Sequence, residues 1–514
     1  MASTASGFEH GSSSVSGRSD GGKQRETRWL IYLALLTLAG AALRLVANRQ
    51  SLAGDELILF GHVHLKSLGE MMSRVVNVEK TPPLGFLSSW VSRRFGSDPE
   101  WIRLPSLIAG TALVPAIAVL GRLAVGRLTG LMAGLLAVVN PILVFYSVEA
   151  RSYALATLFV TLAAVFLLKA RRSPTWPLWV GFGLCEALAL MSHYVALAPL
   201  MVLVAWGWLV APSCRRSILA AQLIPLATAL AWAPWAVTQF GHAGSELERI
   251  GLLQGSKVET AVQIPVTLLA GAPTVGFAPG PFLVAAVLLG FGLLLAAVGL
   301  VIRVGRSGWR PRWTPELLLM VGLAIAAPLV MVIVSLQPDK SMLLARNALP
   351  SLPAILILVA AATSAAPRRM AAAAFVTLLA SMSLATYESL TRYQRPQADA
   401  LVAWATERWQ PNTAILQFRS SGVSGPLGMM LGVHLTGGPR LSYRLVRFDQ
   451  SFALVLSNAA AKNERIILVH QDQKSGTDPK YFDPFFPGMK RVSSHEWQGY
   501  TVLYATEYVR RRPA

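Results

Sequence analysis

The chain is short of the residues that keep a protein in water. Only 14% of its 514 residues are charged, where a soluble domain carries about 25%. Acidic residues are scarcest, with 26 Asp and Glu against 46 Lys and Arg and a formal net charge of +20. Two cysteines, Cys185 and Cys214, are too few for a disulfide framework, and no CxxC or Cys/His spacing offers a metal site. No repeat of fixed period runs through the chain. What remains is apolar: 54% of residues are hydrophobic and the mean hydropathy is +0.49. This composition excludes a soluble enzyme, a disordered protein and a secreted disulfide scaffold, and points to a polytopic membrane protein. The excess of Lys and Arg sits in small groups between apolar runs, the pattern of membrane orientation and not of a nucleic-acid surface.

Residues 1–28 are rich in Ser and Gly and are expected to be a disordered cytoplasmic tail. The run from Trp29 to Val46 follows Lys23, Arg25 and Arg28 and has no small-residue cleavage site after it. It reads as the first membrane helix and not as a signal peptide. Ten further runs have spanning length: 101–121, 127–146, 152–169, 176–193, 195–212, 217–238, 280–302, 314–335, 347–366 and 370–390. The expected fold is thus an α-helical membrane domain, 29–390, of eleven transmembrane helices. With the N-terminus inside, every cytoplasmic connection is basic: Arg122 and Arg127; Lys169, Arg171 and Arg172; Arg215 and Arg216; Arg303, Arg306, Arg310 and Arg312; Arg368 and Arg369. The outer connections are mixed or acidic, so one topology satisfies the whole chain. Glu186 is the exception among otherwise apolar mid-depth residues.

Two outer loops are long. Residues 48–100 hold two helical stretches, Glu56–Val76 and Leu84–Arg94, expected to lie at the interface. Residues 241–279 form the other, and such loops in compact proteins are commonly functional. Residues 391–514 have soluble composition and are expected outside the membrane as a small α/β domain. Helices are expected at 397–410 and 452–462, and strands at 414–418, 465–470 and 500–504.

Polar clusters gather at the outer ends of the spans. They are Asp55-Glu56; Glu79-Lys80 before Pro82-Pro83; Tyr146 with Glu149, Arg151 and Tyr153; His193-Tyr194; and Asp339-Lys340 with Arg346. Each alone has an ordinary explanation: a helix start, a turn, an aromatic belt or a snorkelling cation. Arg44 has the same snorkelling explanation. Jointly the topology sets them at one depth on one side, lining a cavity suited to chemistry on a charged group carried by a lipid tail.

The ordered set resembles a known family, the membrane glycosyltransferases of the GT-C class that use lipid-linked sugars. It is similar to bacterial relatives of dolichyl-phosphate-mannose protein mannosyltransferases and to the aminoarabinose transferases of lipid A. The matching features are Asp55-Glu56, Glu79-Lys80 with Pro82-Pro83-Leu84, Arg103-Leu104-Pro105-Ser106, Glu149-Ala150-Arg151-Ser152-Tyr153, Ser192-His193-Tyr194, and Arg346 with Pro350 and Pro353. Thr81 stands between Lys80 and Pro82, where the aminoarabinose transferases have proline directly, so the resemblance names no sugar.

The resemblance implies a polyprenyl-phosphate sugar donor and an acceptor glycan, lipid or protein, in a bacterial cytoplasmic membrane. Asp55 would be the general base. Arg346, Lys80 and Arg151 would bind the donor phosphate. Glu56, Glu79, Glu149, Tyr153, His193 and Tyr194 would bind sugar or acceptor. A divalent metal on the carboxylates is compatible with this set and is left open. The competing classes are a flippase for lipid-linked sugars and a non-catalytic binder of them.

Overall fold

The computed structural model describes residues 16–96, 98–253, 256–271, 281–307, 313–392, 395–419, 443–447, 452–472, 478–497 and 502–511. Arg310 and Arg312 of the expected basic connections lie outside these residues, as do 1–15 of the expected tail. The membrane domain is built of helices α1 (Ser16–Ala47), α5 (Leu104–Ala124), α6 (Arg127–Val139), α7 (Pro141–Ser147), α8 (Tyr153–Arg172), α9 (Trp176–Ser192), α10 (Leu197–Val210), α11 (Arg215–Leu253), α13 (Pro281–Ser307), α14 (Pro315–Ser335), α15 (Leu352–Ala365) and α16 (Arg368–Thr391). Between α1 and α5 the first outer loop folds into α2 (Asp55–Val63), α3 (Leu68–Val78) and α4 (Leu84–Ser92). A further helix, α12 (Lys257–Ala270), precedes α13.

The expected count of eleven spans is not reached at full spanning length. Among the described residues eight helices are long and apolar enough to cross a bilayer, or nine if α6 and α7 form one span broken by 62°. The break has a local cause. Pro141 cannot donate to the helix ladder, and Asn140 caps α7 by accepting from the Leu143 N–H at 2.9 Å. The stretches expected at 176–193 and 195–212 are helices, but short ones of 17 and 14 residues. At 1.5 Å per residue neither covers about 30 Å of hydrocarbon. Two other boundaries move. Helix α1 starts at Ser16, inside the expected tail, and α11 runs through to Leu253, into the expected second loop.

Arg44 is corrected most sharply. It does not snorkel but is fully buried, donating to Ser147 Oγ at 2.9 Å, to the Gly40 carbonyl at 3.1 Å and to the Ala137 carbonyl at 3.2 Å. It thereby ties α1 to both halves of the broken pair. Gly110 on α5 lies so close to Ser147 that a Cβ there would overlap its hydroxyl. At the other end of these helices, Glu26 bridges Arg122 at 2.7 Å and Arg127 at 2.6 Å, so the basic connection there is also pinned to α1.

The C-terminal part is an α/β unit. It has α17 (Ala398–Arg408), β1 (Thr413–Arg419), β2 (Tyr443–Arg447), α18 (Phe452–Lys462), β3 (Arg465–Asp472), β4 (Met489–Trp497) and β5 (Val502–Arg510). The sheet order is β2-β1-β3-β5-β4, with β1 parallel to β2 and β3, and β5 antiparallel to β3 and β4. One continuous apolar cluster joins this sheet to the first outer loop: Leu401, Ile467 and Leu503 belong with Leu57, Met71, Trp90 and Ile102. The α/β unit therefore shares a core with the loop that carries Asp55.

Arg44→Ala is expected to lower the detergent unfolding midpoint, with a stability loss of about 2–3 kcal/mol from a buried Ser147 hydroxyl and a carbonyl left without their donor. A midpoint equal to wild type in a thermal scan would show that Arg44 does not hold the bundle.

Candidate active site

Gly54 opens the site. It takes φ 57°, a left-handed conformation that glycine adopts without strain, and turns the chain into α2. Asp55 and Glu56 then occupy the first turn of that helix, where its dipole favours negative charge. Adjacent residues on a helix point about 100° apart, so the two carboxylates enter different surroundings.

Glu56 points inward and is fully buried. Arg103 meets it fork to fork, Nε to Oε1 and Nη2 to Oε2, both at 2.6 Å. The Ala150 N–H donates to Oε1 at 2.9 Å, the Ala53 N–H to Oε2 at 3.3 Å, and Arg395 Nε lies 3.4 Å from Oε2. Burial pushes this carboxyl up, but Arg103 and Arg395 outweigh burial and hold it below the ordinary range. Its acceptor sites are taken. Glu56 was expected to bind sugar or acceptor; the structure makes it the anchor of the site's floor. Arg103 spends its other donors on the carbonyls of Asn48, Gln50 and Ser51, so it too is structural.

Asp55 points the other way. Its Oδ2 accepts from Arg346 Nη1 at 3.0 Å, and both side chains are about one-third exposed, at 33% and 28%. Arg346 lies in the 3-10 turn Ala345–Ser351. Its guanidinium is 5.8 Å from the Tyr153 ring. Tyr153 in turn packs at 5.1 Å on Tyr146 and at 5.2 Å on His193. Residues 55, 146, 153, 193 and 346 thus form one wall.

The short connection between α7 and α8 supplies Glu149 and Arg151. Arg151 Nη2 donates to Glu79 at 3.2 Å, while its Nη1 is buried without a hydrogen-bond partner among the described residues. Burial opposes its charge, but Glu79 and Asp55 more than compensate and keep it protonated. Glu79 also lies 3.7 Å from His62 Nε2. Lys80 follows Glu79 in the same turn and is half-buried. Glu149 Oε2 accepts from Arg395 Nη2 at 2.6 Å. Burial, and then the Glu56 charge, raise the Glu149 carboxyl to about 7, with Arg395 pulling the other way. Each of the four carboxylates thus faces an arginine: Asp55 faces Arg346, Glu56 both Arg103 and Arg395, Glu79 Arg151, and Glu149 Arg395.

Burial, reinforced by the charges of Arg151 and Arg346, pushes the His193 ring down to about 3, so it is neutral. Its Nδ1 accepts from the Val195 N–H at 3.2 Å, which leaves the proton on Nε2 as a donor. Tyr194 is tied to α11: its hydroxyl donates to Gln239 at 2.6 Å and accepts from Trp232 at 2.9 Å. Gln239 then donates to the carbonyls of Val75 and Thr81, which fastens α11 to the first outer loop.

No cluster of three or more His, Cys, Asp or Glu side chains among the described residues is placed to hold a metal ion. Each carboxylate here already faces an arginine, so a divalent ion would have to displace one. Arg395 was missed by the sequence reading, because a lone Arg-Pro after a membrane helix looks like an ordinary linker.

The two adjacent carboxylates should respond differently to loss of charge. Glu56→Gln strands Arg103 and Arg395 and should cost about 3–5 kcal/mol of stability. Asp55→Asn removes half of a part-exposed pair and should cost under about 1 kcal/mol. Unfolding of both variants in detergent checks this, and equal losses would contradict the division.

Residues 80–238 match the family model described as dolichyl-phosphate-mannose-protein mannosyltransferase. The match covers less than half of the chain. It takes in Lys80, Arg103, Glu149, Arg151, Tyr153 and His193, but not Asp55 or Arg346. No curated protein matches by sequence. Among solved structures the chain is similar to ArnT from Cupriavidus metallidurans in the apo state, at TM-score 0.54 and 13% identity, over 94% of this chain and 98% of that one. It is also similar to the same protein bound to undecaprenyl phosphate, at TM-score 0.52 and 14% identity, over 93% and 98%. The chain therefore has the fold of ArnT, and its residues 80–238 match the model of the dolichyl-phosphate-mannose-protein mannosyltransferase family.

Proposed function

We propose that the chain is an inverting glycosyltransferase. It moves a sugar from a polyprenyl-phosphate donor to an acceptor hydroxyl at the outer face of a bacterial cytoplasmic membrane. The observation that carries this reading is the Asp55–Arg346 pair: a carboxylate and a guanidinium 291 residues apart in sequence, 3.0 Å apart in space, and reachable from outside while the charges behind them are locked together.

The chemistry needs a base for a hydroxyl and a cation for a phosphate. Asp55 takes the acceptor proton as the acceptor oxygen bonds to the anomeric carbon. The bond from that carbon to the phosphate oxygen breaks on the opposite face, and polyprenyl phosphate leaves with one more negative charge than the diester carried. That group is a stable anion, so it needs neutralising cations and no strong acid. Arg346 meets it with a bidentate fork, released from Asp55 as the donor arrives. The Nη1 of Arg151, without a hydrogen-bond partner among the described residues, is the second contact, and Lys80, next to Glu79 in sequence, the third. Glu79, Glu149, Tyr153 and the Nε2–H of neutral His193 are the contacts for sugar and acceptor hydroxyls.

A place for the lipid tail supports the same reading. An apolar groove of about 550 Å³ runs along α10, from Leu190 and Leu197 on either side of the His193 turn to Trp208 and Leu209. Leu197, Met201 and Leu209 are exposed on it. The ArnT structure of this fold holds bound undecaprenyl phosphate. The outer-face assignment rests on charge: the site lies at the ends of α1, α5 and α8 away from Arg122, Arg127, Arg171 and Arg172.

Purified protein offered a panel of polyprenyl-phosphate sugars with candidate acceptors should release polyprenyl phosphate, detected by mass spectrometry. Asp55→Asn should lower turnover about 10²–10⁴-fold, and Arg346→Ala about 10²–10³-fold. Asp55→Asn with wild-type turnover would remove Asp55 as the base. Movement of intact donor across vesicles without release would favour a flippase instead.

A further inference from the structure

We propose that Arg395, on the link between the membrane domain and the α/β unit, is a positioning residue of this site. It fixes the Glu149 connection and so couples docking of the C-terminal unit to catalysis. The inference rests on the glycosyltransferase reading above.

A chain leaving a membrane helix at the headgroup level is expected to be solvated, and a cation there to face water. Arg395 does the reverse. It lies between the end of α16 at Thr391 and the start of α17 at Ala398, and it is 1% exposed. Its Nη2 donates to Glu149 at 2.6 Å, its Nε lies 3.4 Å from Glu56, and its guanidinium covers the Phe145 ring at 4.3 Å. Its backbone N–H donates to Gln50 Oε1 at 3.0 Å. Pro396 follows and keeps residue 395 extended, directing the side chain away from the path of the link. One step further on, Asp399 of α17 hydrogen-bonds Ser51 of the first outer loop. The link is thus fastened at two successive points, Gln50 and Ser51, to the segment that leads into Asp55.

The role follows from what Arg395 separates. Glu56 and Glu149 are two buried carboxylates on different elements, and Arg395 is the cation that touches both. Glu149 begins the tight connection that continues through Arg151 to Tyr153, whose ring lies against the Arg346 guanidinium. The charged and titratable groups facing Glu149 are Glu56 and Asp55 from α2, Arg395 from the link, Tyr146 from α7, Tyr153 from α8 and Arg346 from the turn before α15. Without Arg395, Glu149 loses the guanidinium that donates to it while the Glu56 carboxylate, still held by Arg103, remains beside it. Glu149 then takes up a proton at higher pH and the connection loses its register. Arg395 reaches no substrate itself, so its effect passes through Glu149.

The test compares Arg395→Ala, Arg395→Lys, Glu149→Gln and the Arg395→Ala/Glu149→Gln pair in the full chain. It reads turnover against pH. It also reads the carboxyl-stretch infrared titration of Glu149, identified by its loss in Glu149→Gln. Arg395→Ala is expected to lower kcat about 10- to 100-fold with a smaller change in KM, and to move the acid limb and the Glu149 titration to higher pH. Arg395→Lys should restore part of both. The paired variant removes both charges, which keeps the comparison available if Arg395→Ala alone folds poorly, and it should be little worse than Glu149→Gln. Wild-type kcat and an unmoved Glu149 titration in Arg395→Ala would overturn the proposal, as would additive losses in the pair. Absence of turnover from wild type with a shifted Glu149 titration in Arg395→Ala would sink the glycosyltransferase reading while leaving the Arg395–Glu149 coupling standing.

Discussion

Burying the Glu56 carboxylate is the constraint on which the rest of the site is built. A carboxylate taken fully out of water is tolerated only when charge and hydrogen bonds replace its hydration. Here the replacement comes from three distant parts of the chain, Arg103 before α5, Arg395 after α16 and the Ala150 N–H between α7 and α8, and from the neighbouring Ala53 N–H ahead of α2. Those four contacts hold together the outer loop, two helix connections and the root of the C-terminal unit. With Glu56 fixed, its neighbour Asp55 is fixed as well, on the other side of α2. Asp55, the proposed base, is therefore held in place by the buried carboxylate beside it.

The same logic separates the arginines. Arg44 and Arg103 are wholly buried and spend their donors on protein atoms, and the buried Arg395 lies against Glu56 and Glu149. Arg346 is part exposed, and Arg151 keeps one buried nitrogen without a partner among the described residues. Asp55 occupies Arg346. On the proposed reading, an arriving phosphate would replace Asp55 as the anion on Arg346 and so free Asp55 to act as base, while the more deeply buried arginines keep the others in place.

Much of this was legible in the sequence, and the limits have physical reasons. The apolar runs and basic connections located the membrane helices because lipid demands length, apolarity and satisfied backbone. The short α9 and α10 and the break at Asn140-Pro141 escaped a count based on hydropathy alone. In the α/β unit, β1, β3 and β5 were visible as apolar runs, whereas β2 and β4 were not. Those two are the edge strands of the sheet, and Tyr443–Arg447 and Met489–Trp497 carry the polar residues that edges tolerate. Asp55 and Arg346 were named from their residue types and order, and the structure sets them in contact. Glu56 and Tyr194 were placed with the ligand-binding groups because sequence shows which groups are polar but not which of their bonds are already made. Arg395 was invisible for the converse reason: its partners, Glu56 and Glu149, lie hundreds of residues away.

The central claim is that Asp55 and Arg346 are the exchangeable pair and Glu56, Arg103 and Arg395 the fixed one. A structure of the protein with bound polyprenyl phosphate tests it directly. The account predicts the phosphate on Arg346, with Asp55 released from that arginine and the Arg103–Glu56–Arg395 contacts unchanged. A phosphate bound away from Arg346, or one that opens the Glu56 contacts while Asp55 stays paired, would contradict it.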